Sequence, residues 1–431
     1  MATNSNTYDI CIIGAGIAGL YVATEMLRFK RNLRICIADK YKFLGGRAMT
    51  FKADISGVSY QWEEGGARIS ESHALMLNLL RQYKLTTAPI RSETLYKESG
   101  AYPVENGLFN EMIPITMEPF RELDIGALEM NTLKSLFKEM MTPKEADTLC
   151  TRYPYRAEIN ILRADMALTI FQNEFSATEK YVLCKEGLSE LIARMVGFFE
   201  ERGGTILRQH ELVEMSSVAT FKKGSPSEGE SRPDVTIEAG HFVFALPSEV
   251  LKRIPQFVKW PLLKRIVMKP LFRVYAAFPK NEDGKVWFEG MGKIVTAAAP
   301  RYILPGDPAT GSIQISYTDS EDAEPLMELM EKSGEEALGK KLVEDLRLLF
   351  HDTYTIPDPL FVKGYPWKEG VSYWLPGHYN PYEESRRAIR PFRDEHPNWY
   401  VCGESYSTRQ CWMEGAVEHA KLVVAKLRAK V

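Results

Sequence analysis

A strand-like run, a glycine-rich turn, a helical pattern and a second strand-like run ending in an acid predict an α/β protein that begins with a Rossmann-type nucleotide-binding unit. Residues 8–13 (YDICII) are apolar, Gly14, Gly16 and Gly19 follow, a helix pattern runs to about Phe29, and residues 34–39 (RICIAD) end at Asp39. Such short connections belong to a parallel sheet. The chain has 431 residues, too many for one core of ordinary size, so two or more lobes are expected.

The remaining elements follow in order. Residues 72–83 read as a helix, with Leu75, Leu79 and Leu80 on one face. The stretch 108–182 is rich in Met, Leu and Glu and reads as mostly helical. Within 187–202, Leu188, Leu191, Ile192, Met195, Phe198 and Phe199 recur at amphipathic-helix spacing, and Gly203-Gly204 stops the run. Short strands (TIL, ELVEM) and then HFVFALP form a second nucleotide-fold signal, interrupted by the polar stretch KKGSPSEGESRPD, which reads as a mobile hairpin or loop. Residues 271–278 and 311–318 read as strands and 322–350 as helices. NWYVCGE is a strand that leads through a loop into a helix from about Met413.

Hydrophobic residues make up 45% and charged residues 26%, as in a folded soluble protein. Lys+Arg number 54 against Asp+Glu 57, a net charge of -3, so no electrostatic argument supports nucleic acid or an anionic membrane as partner. The six cysteines are scattered without C-x-x-C spacing, which suits a reducing compartment better than a disulfide framework. No signal-peptide pattern, no N-x-S/T sequon and no bilayer-length apolar stretch is visible. A cytoplasmic, soluble protein is expected.

The glycine motif carries its full context. Gly14, Gly16 and Gly19 follow a strand and open a helix, and Asp39 stands 20 residues beyond Gly19. The glycines allow a tight turn and a close backbone approach to a pyrophosphate on the helix N-terminus. Asp39 would accept from a ribose hydroxyl. The motif alone does not separate FAD from NAD. The following LGGRAMTF (Leu44 to Phe51) offers Gly45, Gly46 and Arg47 to phosphate oxygens, where a nicotinamide dehydrogenase would continue with another strand and helix.

In order along nearly the whole chain, GAGIAGL, LGGRAMT, WEEGGARISESH, KEGLSEL with HELVEM, FVFALP, WKEGVSYWLPG and YVCGESYSTRQCWMEGAVEHA resemble the flavin amine oxidase superfamily of monoamine, polyamine and L-amino-acid oxidases. The resemblance implies a glutathione-reductase-like FAD-binding domain, an α+β substrate domain and a helical subdomain. The FAD-binding segments are then 1–50, 185–268 and 385–431, the substrate segments 51–107 and 269–384, and the helical subdomain 108–184. It implies FAD contacts from Gly14, Gly16, Ile17, Ala18 and Gly19, from Asp39 and Lys40, from Gly46, Arg47, Gly66, Ala67 and Arg68, and from Val213, Gly403, Glu404, Trp412 and Met413. Glu404 matches a glutamate beside the ribityl-phosphate chain, and Val213 a residue whose backbone meets adenine. Met413, at a helix N-terminus, matches the backbone facing the flavin pyrimidine carbonyl, where reduced flavin carries negative charge. Monoamine oxidases tether flavin to a cysteine where this chain has Val371, so FAD is expected to be non-covalent.

The same resemblance bears on substrate. GGARISESH is similar to the block in which L-amino-acid oxidases clamp the substrate carboxylate, and Arg68 occupies the arginine's place; its planar fork suits a carboxylate. Tyr317 in QISYTD matches a tyrosine donor to that carboxylate, and Trp412 in QCWMEG an indole lining the α-amino site. Two departures stand out. Arg273 replaces the lysine that holds a water beside the flavin N(5) atom, which bears on the reaction with dioxygen. The second ring of the monoamine-oxidase aromatic pair aligns to Ser372, or to Tyr373 if the register slips. His73 is expected on a helix surface and His419 as a structural residue.

These assignments imply FAD-dependent oxidative deamination of an L-amino acid to an imino acid, then keto acid and ammonia, with dioxygen reduced to hydrogen peroxide. Alternatives are a monoamine or polyamine oxidase, an amino-acid oxidative decarboxylase, or a flavin protein without turnover. A homodimer is compatible with the resemblance. No G-x-S-x-G elbow, H-E-x-x-H or Walker A loop occurs, and the seven histidines lack metal-ligand spacing, so no metal is expected.

Overall fold

A computed structural model describes residues 6–90, 94–97, 116–174, 179–224 and 234–431 of the chain. Most of the polar loop expected between 222 and 234, and residues 108–115 and 175–178 of the stretch expected to be mostly helical, lie outside the described residues.

The first strand, Thr7–Ile13, lies between Ile35–Asp39 and Val235–Phe244, parallel to both. Thr205–Arg208 extends the sheet beyond Ile35–Asp39, and Trp399–Val401 extends it beyond Val235–Phe244, again in parallel. The physical reason lies in the alternation along the strand. Ile10 and Ile12 enter one core, Cys11 and Ile13 the other, and Ile35, Ile37, Cys36 and Ala38 divide the same way. A strand buried on both faces needs a continuous apolar run, which this one has. The helices Ile17–Phe29, Leu188–Glu200 and Met413–Arg428 cover one face. His210–Met215 and Ala219–Lys223 extend the long strand Val235–Phe244 as an antiparallel ribbon.

A second sheet of six strands is centred on Ile266–Ala277, which pairs antiparallel with Ser312–Asp319 and with Phe361–Trp374. The helix Ser320–Leu349 packs Leu338 and Leu342 against Phe272, Val274, Ile313 and Ile315. It bends at Gly334, whose φ of 80° is left-handed. Between Ser316, opposite Val274, and Gln314, opposite Tyr275, Ile315 is an extra residue. This bulge reverses the alternation, so Tyr317 pairs directly with Arg273 and faces away from the helix.

The region expected to be mostly helical is helical over Ile125–Met130, Leu133–Met140, Pro143–Arg152, Arg156–Asn160 and Ala164–Glu174, but Tyr181–Cys184 is a strand pairing with Ile69–Ser70 and Thr87–Ile90. Its Val182 and Cys184 are buried against neighbouring strands, a tertiary contact that composition does not signal. A hairpin, Thr50–Ile55 with Val58–Glu63, was not expected. Among the described residues no helix is long and apolar enough to cross a membrane.

Candidate active site

A cavity of about 1080 Å³ runs from the glycine turn to the second sheet, larger than most small-molecule sites. Of the residues expected to contact FAD or substrate, all but Gly19 line it. A Cβ at Gly19 would sit 2.0 Å from the Gly14 carbonyl oxygen, so that glycine serves the turn's packing. A Cβ at Gly16 would meet nothing within 4 Å and would project into the cavity. The helix Ile17–Phe29 has Gly16 as N-cap with no side-chain cap, which leaves the first-turn amides, Ile17 and Ala18 among them, without an intrahelical acceptor. An anion held there by backbone donors fits both features.

Asp39 accepts from the Ala15 amide (Oδ2, 2.8 Å) and the Tyr41 amide (Oδ1, 2.8 Å), so part of its acceptor capacity holds the turn in shape. Burial pushes its carboxyl above the usual range. A carboxylate accepts about four bonds, which leaves capacity for ribose hydroxyls. At one end of the cavity Val213 is the bulged residue between the Leu212 and Glu214 pairs, its backbone outside the regular ladder register.

Arg47 and Glu404 close the middle. Arg47 donates to the Gly370 carbonyl (2.7 Å) and to Glu404 Oε2 (3.0 Å). The buried Glu404 also accepts from the Ser372 amide (3.2 Å) and hydroxyl (3.0 Å) and from the Cys411 amide (2.7 Å). The helix Met413–Arg428 starts from Trp412 without a side-chain cap, and its first-turn acid, Glu414, turns away to accept from the Leu75 and Met76 amides. Its N-terminus therefore faces the cavity with positive partial charge.

The far end is aromatic and charged. Arg68 Nη2 donates to the Tyr155 hydroxyl at 2.9 Å, and its guanidinium lies 5.5 Å from the Tyr181 ring and 5.6 Å from Tyr302. Arg273 lies over the Tyr317 ring at 4.7 Å and donates to the Tyr275 hydroxyl at 3.3 Å. Neither arginine forms an ion pair among the described residues. Trp412 stacks on Tyr181 at 5.8 Å and meets His73 edge-on at 4.9 Å. Burial pushes the Tyr317 hydroxyl above its ordinary value, so it is a neutral donor.

Two expectations need correction. Ser372 is not the second ring position: its hydroxyl is turned to Glu404 and Ser405, and Tyr373, the next residue of the strand, lines the cavity instead. His73 is not on a helix surface. It is 3% exposed, its Nδ1 accepts from the Ser70 amide, and burial, then the Arg409 charge, lower it to about 3, so it is neutral and packs Trp412. His419 is buried, with Nε2 on the Ser385 carbonyl, as a structural residue should be. No cluster of metal-binding side chains occurs among the described residues.

The sequence model for flavin containing amine oxidoreductase matches residues 17–428. The chain belongs to the flavin-containing amine oxidoreductase family. This amine oxidoreductase is 24% identical over 476 aligned positions to the flavin-dependent L-tryptophan oxidase RebO of Lentzea aerocolonigenes, covering 97% of this chain and 98% of that one. It is 27% identical over 146 residues to a flavin-containing amine oxidase of Danio rerio, a match spanning 33% of this chain and 25% of that protein. Among solved structures it is similar to putrescine oxidase bound to putrescine (TM-score 0.71, 18% identity, 98% and 99% covered). It is also similar to cyclohexylamine oxidase from Brevibacterium oxydans (TM-score 0.70, 16% identity, 98% and 99% covered). These two likenesses establish the fold. The amine oxidoreductase is thus an enzyme that uses FAD to oxidise amines or amino acids.

The sequence reading missed Tyr155, Tyr181, Tyr302, Glu158 and Asp319, all at the far end. Asp319 was within reach of sequence logic, since it stands two residues beyond Tyr317 and alternate strand residues share a face. Tyr155 and Glu158 sit in the helical region, where composition gives no register.

Proposed function

We propose that the enzyme oxidatively deaminates an L-amino acid, with FAD bound non-covalently. The observation that carries this reading is Arg68: a guanidinium enclosed by Tyr181 and Tyr302, donating to Tyr155 and paired with no acid among the described residues. An enclosed cation without an anion is costly, and a substrate carboxylate supplies the missing partner in bidentate form. An amine lacking a carboxylate leaves that cost in place.

FAD, when bound, would supply a hydride acceptor that dioxygen can reoxidise, giving hydrogen peroxide. The chain's residues do the rest. Gly16 and the first-turn amides of Ile17–Phe29 would hold the pyrophosphate, Asp39 would hold the adenosine ribose, and the N-terminus of Met413–Arg428 would offset negative charge on the flavin. Arg68, Tyr155 and Tyr317 orient the substrate by its carboxylate, so that proximity supplies much of the rate. Trp412 and Tyr373 flank the α-amino group, which must be neutral to react, and their rings exclude water. Arg273 keeps a fixed positive charge in the lysine's place. No side chain is needed as a general base for hydride loss from a neutral amine.

Anaerobic mixing of the holoenzyme with alanine, lysine, phenylalanine, tryptophan, putrescine and spermine tests the proposal. Bleaching of the yellow flavin by an amino acid supports it, and an Arg68→Ala variant should keep its FAD but lose that bleaching. Bleaching by amines alone, or unchanged amino-acid kinetics in the variant, would refute it.

A further inference from the structure

The helix Arg156–Asn160 has five residues, too few to hold itself in place without tertiary contacts. Its N-cap residue is Tyr155, whose backbone is extended and whose side chain makes no capping bond. The Tyr155 hydroxyl is turned instead to Arg68, which donates to it at 2.9 Å. The first amides of the helix are served from another element. Asp319, 2% exposed, accepts from the Arg156 amide through Oδ1 (2.9 Å) and from the Ala157 amide through Oδ2 (3.3 Å). Asp319 is itself the N-cap residue of Ser320–Leu349, where an acid ordinarily caps its own helix, yet its side chain makes no bond there. Both oxygens go to the two residues that follow Tyr155.

Neighbouring contacts hold the chain on either side. Arg301 donates to the Tyr153 carbonyl and pairs with Asp322 at 3.0 Å. The Arg156 side chain pairs with the same Asp322 at 2.9 Å and donates to the Cys150 carbonyl at 2.6 Å. Tyr317 stands two residues before Asp319 on one strand face, its ring 5.8 Å from that of Tyr155. Tyr155, Tyr317 and Asp319 all line the cavity. One strand end thus sets two phenols beside Arg68: Tyr317 directly, and Tyr155 through a carboxylate.

We propose that Asp319 is a positioning residue for substrate capture: by holding the Arg156 and Ala157 amides it keeps the Tyr155 hydroxyl on Arg68. The inference rests on Arg68 receiving the substrate's α-carboxylate. In this role Asp319 touches neither substrate nor flavin and acts through Tyr155. The guanidinium is a planar fork, and one of its donors is fixed by that hydroxyl. Without the carboxylate the start of the helix loses its anchor, Tyr155 shifts, and the fork is no longer held in one orientation for the incoming carboxylate. Capture of the amino acid then weakens, whereas the saturated complex still passes its hydride.

A double-mutant cycle on the holoenzyme tests this. Anaerobic stopped-flow bleaching by alanine, lysine, phenylalanine and tryptophan gives, for each that reacts, a half-saturating concentration and a limiting rate. Asp319→Asn keeps the size and one acceptor but turns a donor toward the other amide. It should raise the half-saturating concentration by up to about tenfold, the scale of the single bond it loosens. The limiting rate should stay within about twofold. Combined with Tyr155→Phe, it should add at most about another twofold, because the hydroxyl that Asp319 positions is already gone. An acid that served the fold alone would act independently of that hydroxyl. The two effects would then multiply in the double variant, and that outcome overturns the inference. An unchanged half-saturating concentration, or a collapsed limiting rate, in Asp319→Asn overturns it too. Should Asp319→Asn lose FAD, the smaller Asp319→Ser, which also keeps an acceptor, takes its place in the cycle. Multiplying effects in variants that amino acids still bleach leave the amino-acid reading intact. A wild type that no amino acid bleaches overturns both.

Discussion

Arg47 and Glu404 lie 357 residues apart in the chain and meet at 3.0 Å across the cavity. The contact ties the segment after the first βαβ unit to the segment before the last helix, so the site needs both ends of the polypeptide. Removing the Glu404 carboxylate takes the acceptor from the Ser372 and Cys411 amides and leaves Arg47 only the Gly370 carbonyl and the Ser372 hydroxyl only Ser405. Glu404→Ala should therefore lower stability by about 3 kcal/mol or more and release FAD on gel filtration. Urea unfolding of the two proteins and their visible spectra after desalting check this.

Two glycines of one motif should respond in opposite ways. A side-chain carbon added at Gly16 would meet open space, and the residue has an ordinary φ of -71°, so Gly16→Ala should leave the apoprotein's melting temperature unchanged but weaken FAD binding. At Gly19 the new carbon would lie 2.0 Å from a carbonyl oxygen, so Gly19→Ala should fail through the fold, with a lower melting temperature even without flavin. Calorimetry of the apoproteins and flavin titration separate the two effects.

Tyr155 supplies the hydroxyl that takes one Arg68 donor. Tyr155→Phe keeps the ring and loses that bond, a net cost of about 0.5–1.5 kcal/mol. The apparent affinity for the amino acid should fall by up to about tenfold by the same estimate, with a smaller change in the limiting rate of flavin reduction. A limiting rate that collapses with affinity intact would show that the hydroxyl acts on chemistry and not on Arg68.

Acid sensitivity should trace in part to His419. Burial lowers it to about 4 from 6.5, so the folded protein keeps it neutral. Between those values the unfolded chain binds the extra proton, so its contribution is complete above about 6.5 and is lost as pH falls toward 4. The slope is up to about 1.4 kcal/mol per pH unit. Glu63 and Asp319, raised to about 7 by burial, carry the opposite sign: their contribution is complete below the usual carboxylate range and is lost as pH rises through about 7. Thermal melts of wild type and His419→Gln from pH 7.5 down to 5 isolate the histidine, whose replacement should flatten the curve.

The nucleotide half of the molecule was legible in the residues themselves. A fully buried parallel strand must be apolar at every position, a pyrophosphate turn needs its glycines, and an acid ends the second strand, so Gly14, Gly16 and Asp39 stand out locally, whereas the terminal block stood out only through its resemblance to flavin amine oxidases. The far end was decided by tertiary structure. The bulge at Ile315 sends Tyr317 and Asp319 toward the cavity, although simple alternation from the buried Ile313 and Ile315 would carry both to the helix side. Ser372 and Tyr373 exchange roles by one step of strand register, and His73 is buried because Trp412, more than 300 residues later, packs on it. Tyr155 and Glu158 acquire meaning only from the strand they oppose. Local patterns report how a segment buries itself, whereas which side chains converge on one point depends on the packing of segments distant in sequence.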